Sequence, residues 1–384
     1  MPTRQHLATY GVSTLAAATI TIAALLQPWR GSEHGIGAPV PVGPERAERA
    51  EHAVDVVFAV DTTGSMGGLL EGAKRTVWSI ATHIRKTDPG AQLRVGLVAY
   101  RDIGDDYVTR DLALTSDLDA VFAELSSYRA AGGGDTPEDV DAALDDTLHK
   151  MAWRADARKL VFLVGDAPPA SRGDVPRFDV LAREAGERQI LLNTIRCGWD
   201  PDTERAWQQI AELGHGQFST IQQDGGVQQI ATPYDARIAE VSARIDETTV
   251  IVGDEGERRA YHKAMAAAAE APAPAKADRA AYYVAKGSGA GGGGRADKDL
   301  VGGIASGTMS LDDVAPAALP EDLRGMGRPA LQKEIERRAE LRRQAQDELT
   351  RLTRQRDEYL EGQARTGEGG FDAKVKAAID VQLQ

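Results

Sequence analysis

The chain has 384 residues, with 45 Lys or Arg against 58 Asp or Glu, giving a net charge of −13. That balance argues against a nucleic-acid partner, which needs a basic face to displace counterions, and suits cations or basic partners. A single cysteine, Cys197, excludes an internal disulfide, a CxxC redox motif and a Cys-rich zinc site, and no histidine pair is spaced as HExxH.

Residues 1–30 read as a signal peptide or membrane anchor. Arg4 and His6 precede an uncharged run from Ala8 to Leu26, closed by Gln27, Pro28, Trp29 and Arg30. The bulk of the chain is then expected outside the cytoplasm, membrane-anchored, or secreted or periplasmic if the signal is cleaved. Residues 31–52 carry Gly, Pro and charge without periodicity and read as a tether.

From 53 to 253 apolar runs alternate with helical segments. AVDVVFAV, LRVGLVAY, KLVFLV and ILLNTI have the continuous apolar character of strands covered on both faces. YVTRDLALT reads as a short edge strand. Helical stretches such as TPEDVDAALDDTLHKMA and DPDTERAWQQIAEL lie between the strands. The alternation predicts an α/β fold with a mostly parallel, doubly wound sheet.

Residues 254–328 are Ala/Pro-rich and then Gly-rich, and are expected to form a flexible low-complexity linker. The glycine run lacks a GK[ST] ending, so it is no phosphate loop. Residues 329–363 predict one long charged helix. Between Leu331 and Glu361 it carries eight basic and eight acidic side chains. Leu331, Ile335, Leu349 and Leu352 begin a coiled-coil seam, but Arg338, Arg342 and Arg356 interrupt it, so a solvated arm is expected. Within residues 364–384, Phe371, Val375, Ile379 and Leu383 recur every four positions and predict a short amphipathic helix.

The chemistry falls at strand ends, where ligands bind in open α/β sheets. The first strand runs into Asp61-Thr62-Thr63-Gly64-Ser65, which presents a carboxylate and two hydroxyls from one tight loop. The strand KLVFLVG ends at Asp166 before Ala-Pro-Pro, and AGGGDTPE places Asp135 and Thr136 at the mouth of a helix. Oxygen ligands without imidazole or thiolate suit a hard cation, Mg²⁺ or else Mn²⁺ or Ca²⁺. Glu138 reads as a favourable charge at a helix N-terminus. Asp102, Asp105 and Asp106 read as an acidic surface loop, Cys197 as a half-buried small residue, and His215 as a turn residue before the last strand.

DVVFAVDTTGSM resembles the first strand and DxSxS motif of von Willebrand factor type A (VWA) domains, with Thr63 in place of the middle serine. The likeness continues through VAYRD, GGGDTPE, LVGDAPP and NTIRCGWD to GHGQF. It implies a Rossmann-like fold with a metal-ion-dependent adhesion site (MIDAS). Asp61, Thr63 and Ser65 would take the first-loop roles and Asp166 the third-loop carboxylate. The second loop departs from the family pattern: Gly134 stands in one alignment where a threonine is usual, leaving Asp135 or Thr136 to complete the site. The implied function is a non-catalytic, metal-dependent adhesion or scaffold module capturing an Asp or Glu of a protein partner. The alternative is a metal-dependent hydrolase or phosphoryl-transfer enzyme. Thr63, standing two residues after Asp61, removes the general acid that a haloacid-dehalogenase-type phosphatase needs.

Overall fold

A computed structural model describes residues 52–134, 136–171, 175–227, 230–287, 298–363 and 370–383. The N-terminal run from Ala8 to Leu26, Asp135 and most of the glycine run lie outside the described residues.

In chain order the first elements are β1 (Ala53–Asp61), α1 (Gly67–Thr87), β2 (Gln92–Tyr100), β3 (Thr109–Thr115), α2 (Leu118–Ser127) and α3 (Val140–His149). Then follow β4 (Arg158–Gly165), α4 (Phe178–Glu187), β5 (Ile190–Cys197), α5 (Pro201–Leu213), β6 (His215–Ile221) and α6 (Asp235–Asp246). The sheet order is β3-β2-β1-β4-β5-β6, with β3 antiparallel on one edge and every other pairing parallel. All nine residues of β1 are buried, as its unbroken apolar run requires with helices on both faces. The strand order reverses between β1 and β4, whose Val60 and Val164 stand in register. A crevice therefore opens beyond the carboxyl ends of these two strands.

One face of the sheet packs Phe58 and Phe162, stacked with ring centroids 5.4 Å apart, against α1 and α2. The other face packs Val57, Ala59 and Leu163 against α3, α4 and α5 around Trp207. The expected edge strand is β3, Cys197 is fully buried, and His215 opens β6 with φ 55°.

Beyond residue 253 the structure departs from the linker-and-arm expectation. Residues 255–287 form two helices, α7 (Glu255–Glu270) and α8 (Ala273–Gly287). Asp254 and Glu257 start α7 as a capping box, and Pro274 sits in the first turn of α8, where its missing N–H costs nothing. Ala264, Ala268, Ala275, Ala277 and Ala280 are buried. Small side chains let these helices approach closely, and Tyr282 and Tyr283 pack against Trp78 of α1. By composition the segment has little apolar surface with which to order itself, but alanine faces and two tyrosines suffice against an existing core.

The short α9 (Leu300–Ser306) follows, then α10 (Arg328–Gln363) and α11 (Phe371–Gln382). The long helix α10 is not a solvated arm: it lies along α6 and α8, with Leu349 and Leu352 in a shared apolar cluster. Two of the arginines that break its heptad are buried in ion pairs. Arg356 binds Asp235 and Asp278, both at 2.7 Å. Arg342 binds Asp299 at 2.5 Å and the Thr248 hydroxyl at 2.8 Å. The third, Arg338, pairs with Glu334 on the helix surface at 2.8 Å. The amphipathic α11 docks its Phe371, Val375 and Ile379 on the α1 side of the sheet. Among the described residues no helix is long and apolar enough to cross a membrane.

Candidate metal centre

Asp61 closes β1 and is fully buried. One of its carboxylate oxygens, Oδ1, accepts hydrogen bonds from the Thr63 backbone N–H at 2.8 Å and the Thr63 hydroxyl at 2.7 Å. The other oxygen, Oδ2, is buried without a hydrogen-bond partner. The Thr63 and Ser65 hydroxyls lie 3.4 Å apart, and Ser65 is exposed at the mouth. Asp166 follows β4 directly; its carboxylate accepts from the Gln223 amide at 2.5 Å, and its backbone carbonyl accepts from Thr203. Asp61, Thr63, Ser65 and Asp166 thus meet at the point where the strand order reverses.

The second loop brings a further acid to the site. Asp135 lies outside the described residues, and Thr136 is exposed. The acid that enters the site is Glu138. It is 4% exposed, and its Oε2 has no partner. Its backbone is fixed to the loop after β4: its N–H donates to the Pro168 carbonyl and its carbonyl accepts from Ala170. Gly133, at φ 69°, lets the loop pass over this group. A Cβ there would stand 2.8 Å from Thr63 Cβ and 2.9 Å from Glu138 Oε1, which places Thr63 and Glu138 on either side of one glycine. The acidic loop after β2 buttresses it, for Asp105 accepts hydrogen bonds from the N–H groups of Gly133 and Asp102.

The electrostatics follow from burial. Burial, opposed by the Thr63 hydrogen bonds and reinforced by the charge of Asp166, pushes the Asp61 carboxyl up to about 7. Burial, then the charges of Asp61, Asp102, Asp105 and Asp166, push Glu138 up to about 8. Negative charge is concentrated here, and two buried carboxylate oxygens stand open; the neighbouring buried Arg101 instead donates to the Thr62 hydroxyl and the Arg129 carbonyl and pairs with Asp106. A hard divalent cation fits that donor set of carboxylates and hydroxyls. Among the described residues no three His, Cys, Asp or Glu side chains converge as a ligand set by themselves, so the hydroxyls are integral to any such site.

The family profile of the von Willebrand factor A domain matches residues 55–232. The chain carries a von Willebrand factor A domain. The match begins in β1 and ends in the loop after β6, so it spans the sheet and all three site loops and leaves out the helices from α6 onward. Mouse von Willebrand factor A domain-containing protein 7 is 30% identical over 199 residues, 51% of this chain and 21% of that protein. The alpha-protein kinase vwkA of Dictyostelium discoideum is 30% identical over 127 residues, 32% of this chain and 20% of that one. The chain spans about a fifth of the length of these relatives. Among solved structures, BatB from Bacteroides thetaiotaomicron aligns at 17% identity over 44% of this chain and 90% of that one, with a TM-score of 0.34. Proximal thread matrix protein 1 of the mussel byssus, with zinc in its MIDAS motif, aligns at 15% identity over 45% and 42%, with a TM-score of 0.37.

The signal for Glu138 was available in part, since an acid beside the helix-capping Asp139 in GGGDTPE is one charge more than a cap needs. For Gln223, which bridges Asp166 and the carbonyl of Ser65, no sequence signal exists.

Proposed function

We propose that the VWA domain binds a divalent cation, Mg²⁺ first, and through it captures an acidic side chain of a protein partner. The observation that carries this reading is the pair of partnerless buried oxygens, Asp61 Oδ2 and Glu138 Oε2, beside an exposed Ser65 hydroxyl. Thr63, Ser65, Asp61 and Asp166 would hold the ion, with Glu138 reinforcing the negative field from behind Gly133. A bound cation supplies an open coordination position for a carboxylate oxygen. The protein's own part is orientation: Thr63 fixes Asp61, and Gln223 fixes Asp166.

Titration calorimetry with MgCl₂, MnCl₂ and CaCl₂ tests the site. Saturable binding that Asp61→Ala removes is expected, and equal affinity in that variant would overturn the assignment. Pull-down of partners with and without EDTA then tests capture; retention of the same proteins in EDTA would refute the role of the ion.

The adhesion or scaffold role belongs to the cell envelope in this reading, supported by the basic start and apolar run of residues 1–30. Fractionation checks it: full-length protein belongs in the membrane pellet, and intact protein in the cytosol would contradict it.

A further inference from the structure

Beside the metal centre lies a second cavity, of about 730 Å³. Its walls come from α1, the ends of β5 and β6, the loop after β6 and the start of α11. The cavity depends on that last helix. Gly370 lies so close to the β6 loop that a Cβ on it would stand 2.3 Å from the Gly226 carbonyl oxygen, and the Phe371 N–H donates to Gly225 at 2.9 Å.

Two half-buried cations line the cavity, Arg75 of α1 and Lys374 of α11. Among the described residues neither side chain has a hydrogen-bond or ion-pair partner, in a chain that carries 58 acidic side chains. The two carboxylates on the wall are engaged: Glu71 pairs with Lys74 at 2.9 Å, and Asp224 accepts from the Gly226 N–H at 3.0 Å. By contrast, Arg94 and Arg154 are both paired closely with Asp55, and Arg279, Arg342 and Arg356 each hold a carboxylate. Trp199, on the loop leaving β5, stands at the rim 83% exposed. An exposed tryptophan beside unmatched charge is the composition of a binding anchor. The cavity also joins the metal centre through one loop, since Gln223 touches Asp166 while its neighbours Gln222 and Asp224 line the wall.

We infer that this cavity is a second recognition subsite, taking a further acidic side chain of the same partner segment whose carboxylate reaches the ion. The inference rests on the metal-capture reading. Arg75 and Lys374 neutralise the carboxylate, and Trp199 covers the apolar stem and the adjoining backbone. Two anchors from different elements make the face selective for a segment with acidic residues in succession over one with an isolated acid.

The test uses the full chain with saturating MgCl₂ and a short, end-blocked, fluorescein-labelled peptide of alternating Glu and Gly, read by anisotropy. A Lys-Gly peptide is the control. Wild type should bind the acidic peptide alone. Arg75→Ala combined with Lys374→Ala should weaken binding about tenfold or more, Trp199→Ala should weaken it about fivefold, and Lys374→Arg should retain it. Among the described residues these side chains make no hydrogen bond or ion pair, so circular dichroism of the variants should overlay wild type. EDTA should weaken wild type and the double variant alike. Unchanged affinity in the double variant, with the EDTA effect intact, removes the subsite and leaves metal capture standing. Loss in the double variant without any EDTA effect keeps the cavity as a peptide site but removes its link to the ion. Full displacement by inorganic phosphate at matched ionic strength would make it a small-anion site and overturn the peptide assignment, and failure of wild type to bind overturns both readings.

Discussion

The two ends of β1 each bury an aspartate completely and treat it in opposite ways. At the start of the strand, Asp55 is clamped by Arg94 at 2.6 and 2.9 Å and by Arg154 at 2.7 and 3.0 Å. Burial alone would raise its carboxyl, but the hydrogen bonds from the two arginines hold it below the usual range. At the other end no cation among the described residues meets Asp61: Thr63 donates twice to one oxygen, and the backbone N–H of Asp166 is the other donor that bears on the carboxylate. The helices after the sheet repeat the Asp55 pattern. Arg279 grips Asp119 at 2.6 and 2.8 Å and Asp246 at 2.7 Å, while the Tyr283 hydroxyl donates to Asp119 at 2.7 Å. A buried charge inside its own ion pair is architecture, whereas a buried charge without one has kept room for a ligand.

The paired side of this contrast should break hardest. Arg356→Ala leaves Asp235 and Asp278 facing each other without their cation, and a loss of roughly 3–5 kcal/mol of stability is expected. Urea denaturation would register it as a lower midpoint, and a change within about 0.5 kcal/mol would show that these pairs do not anchor the long helix.

The unpaired side should show itself in pH dependence. Asp61 moves from an ordinary value of 3.8 to about 7, close to three pH units. Its folded-state value lies above its unfolded one, so the associated stability is complete below about pH 4 and disappears as pH climbs through about 7. In EDTA the melting temperature should therefore fall between pH 5 and pH 8, by the equivalent of roughly 2–4 kcal/mol. Saturating Mg²⁺ should flatten or reverse the trend, because the ion favours deprotonated ligands. A flat profile in EDTA would mean that Asp61 ionises freely.

Removing the unpaired acid should cost affinity and spare the fold. Asp61→Asn should weaken divalent binding at least about a hundredfold, near 2.7 kcal/mol. The same change should raise the melting temperature of the metal-free protein at pH 8, since a buried charge without a cation is gone. Calorimetry and scanning fluorimetry on one sample separate the two effects.

The smallest effect belongs to Arg343, which pairs with Glu340 on the exposed face of α10. Its replacement by alanine should change stability by less than about 0.5 kcal/mol. A drop comparable to that of Arg356→Ala would mean that the exposed face of the helix is covered by something else.

The sheet was legible because a strand buried on both faces must be apolar throughout, and β1, β2, β4 and β5 each carry such a run. Asp61 and Asp166 were legible for the complementary reason: a carboxylate that ends an apolar strand has to emerge where the loops converge. Glu138 was legible only as a charge at a helix start, because its burial comes from a bridge to the Pro168–Ala170 turn and from Gly133 passing over it. Both are contacts between loops far apart in sequence. The helices of residues 255–287 escaped because alanine contributes little to any measure of hydrophobicity, yet it allows close approach once a partner face exists. Arg342 and Arg356 look like interruptions of a seam in a helix considered by itself. Their partners, Asp299 and Asp235, stand 43 and 121 positions away. Periodicity and strand-end chemistry are local properties, so the sequence alone determined the α/β sheet and the mouth of its site. Which buried charges are matched and which stay open depends on what the folded chain brings alongside them, and that only the tertiary structure decided.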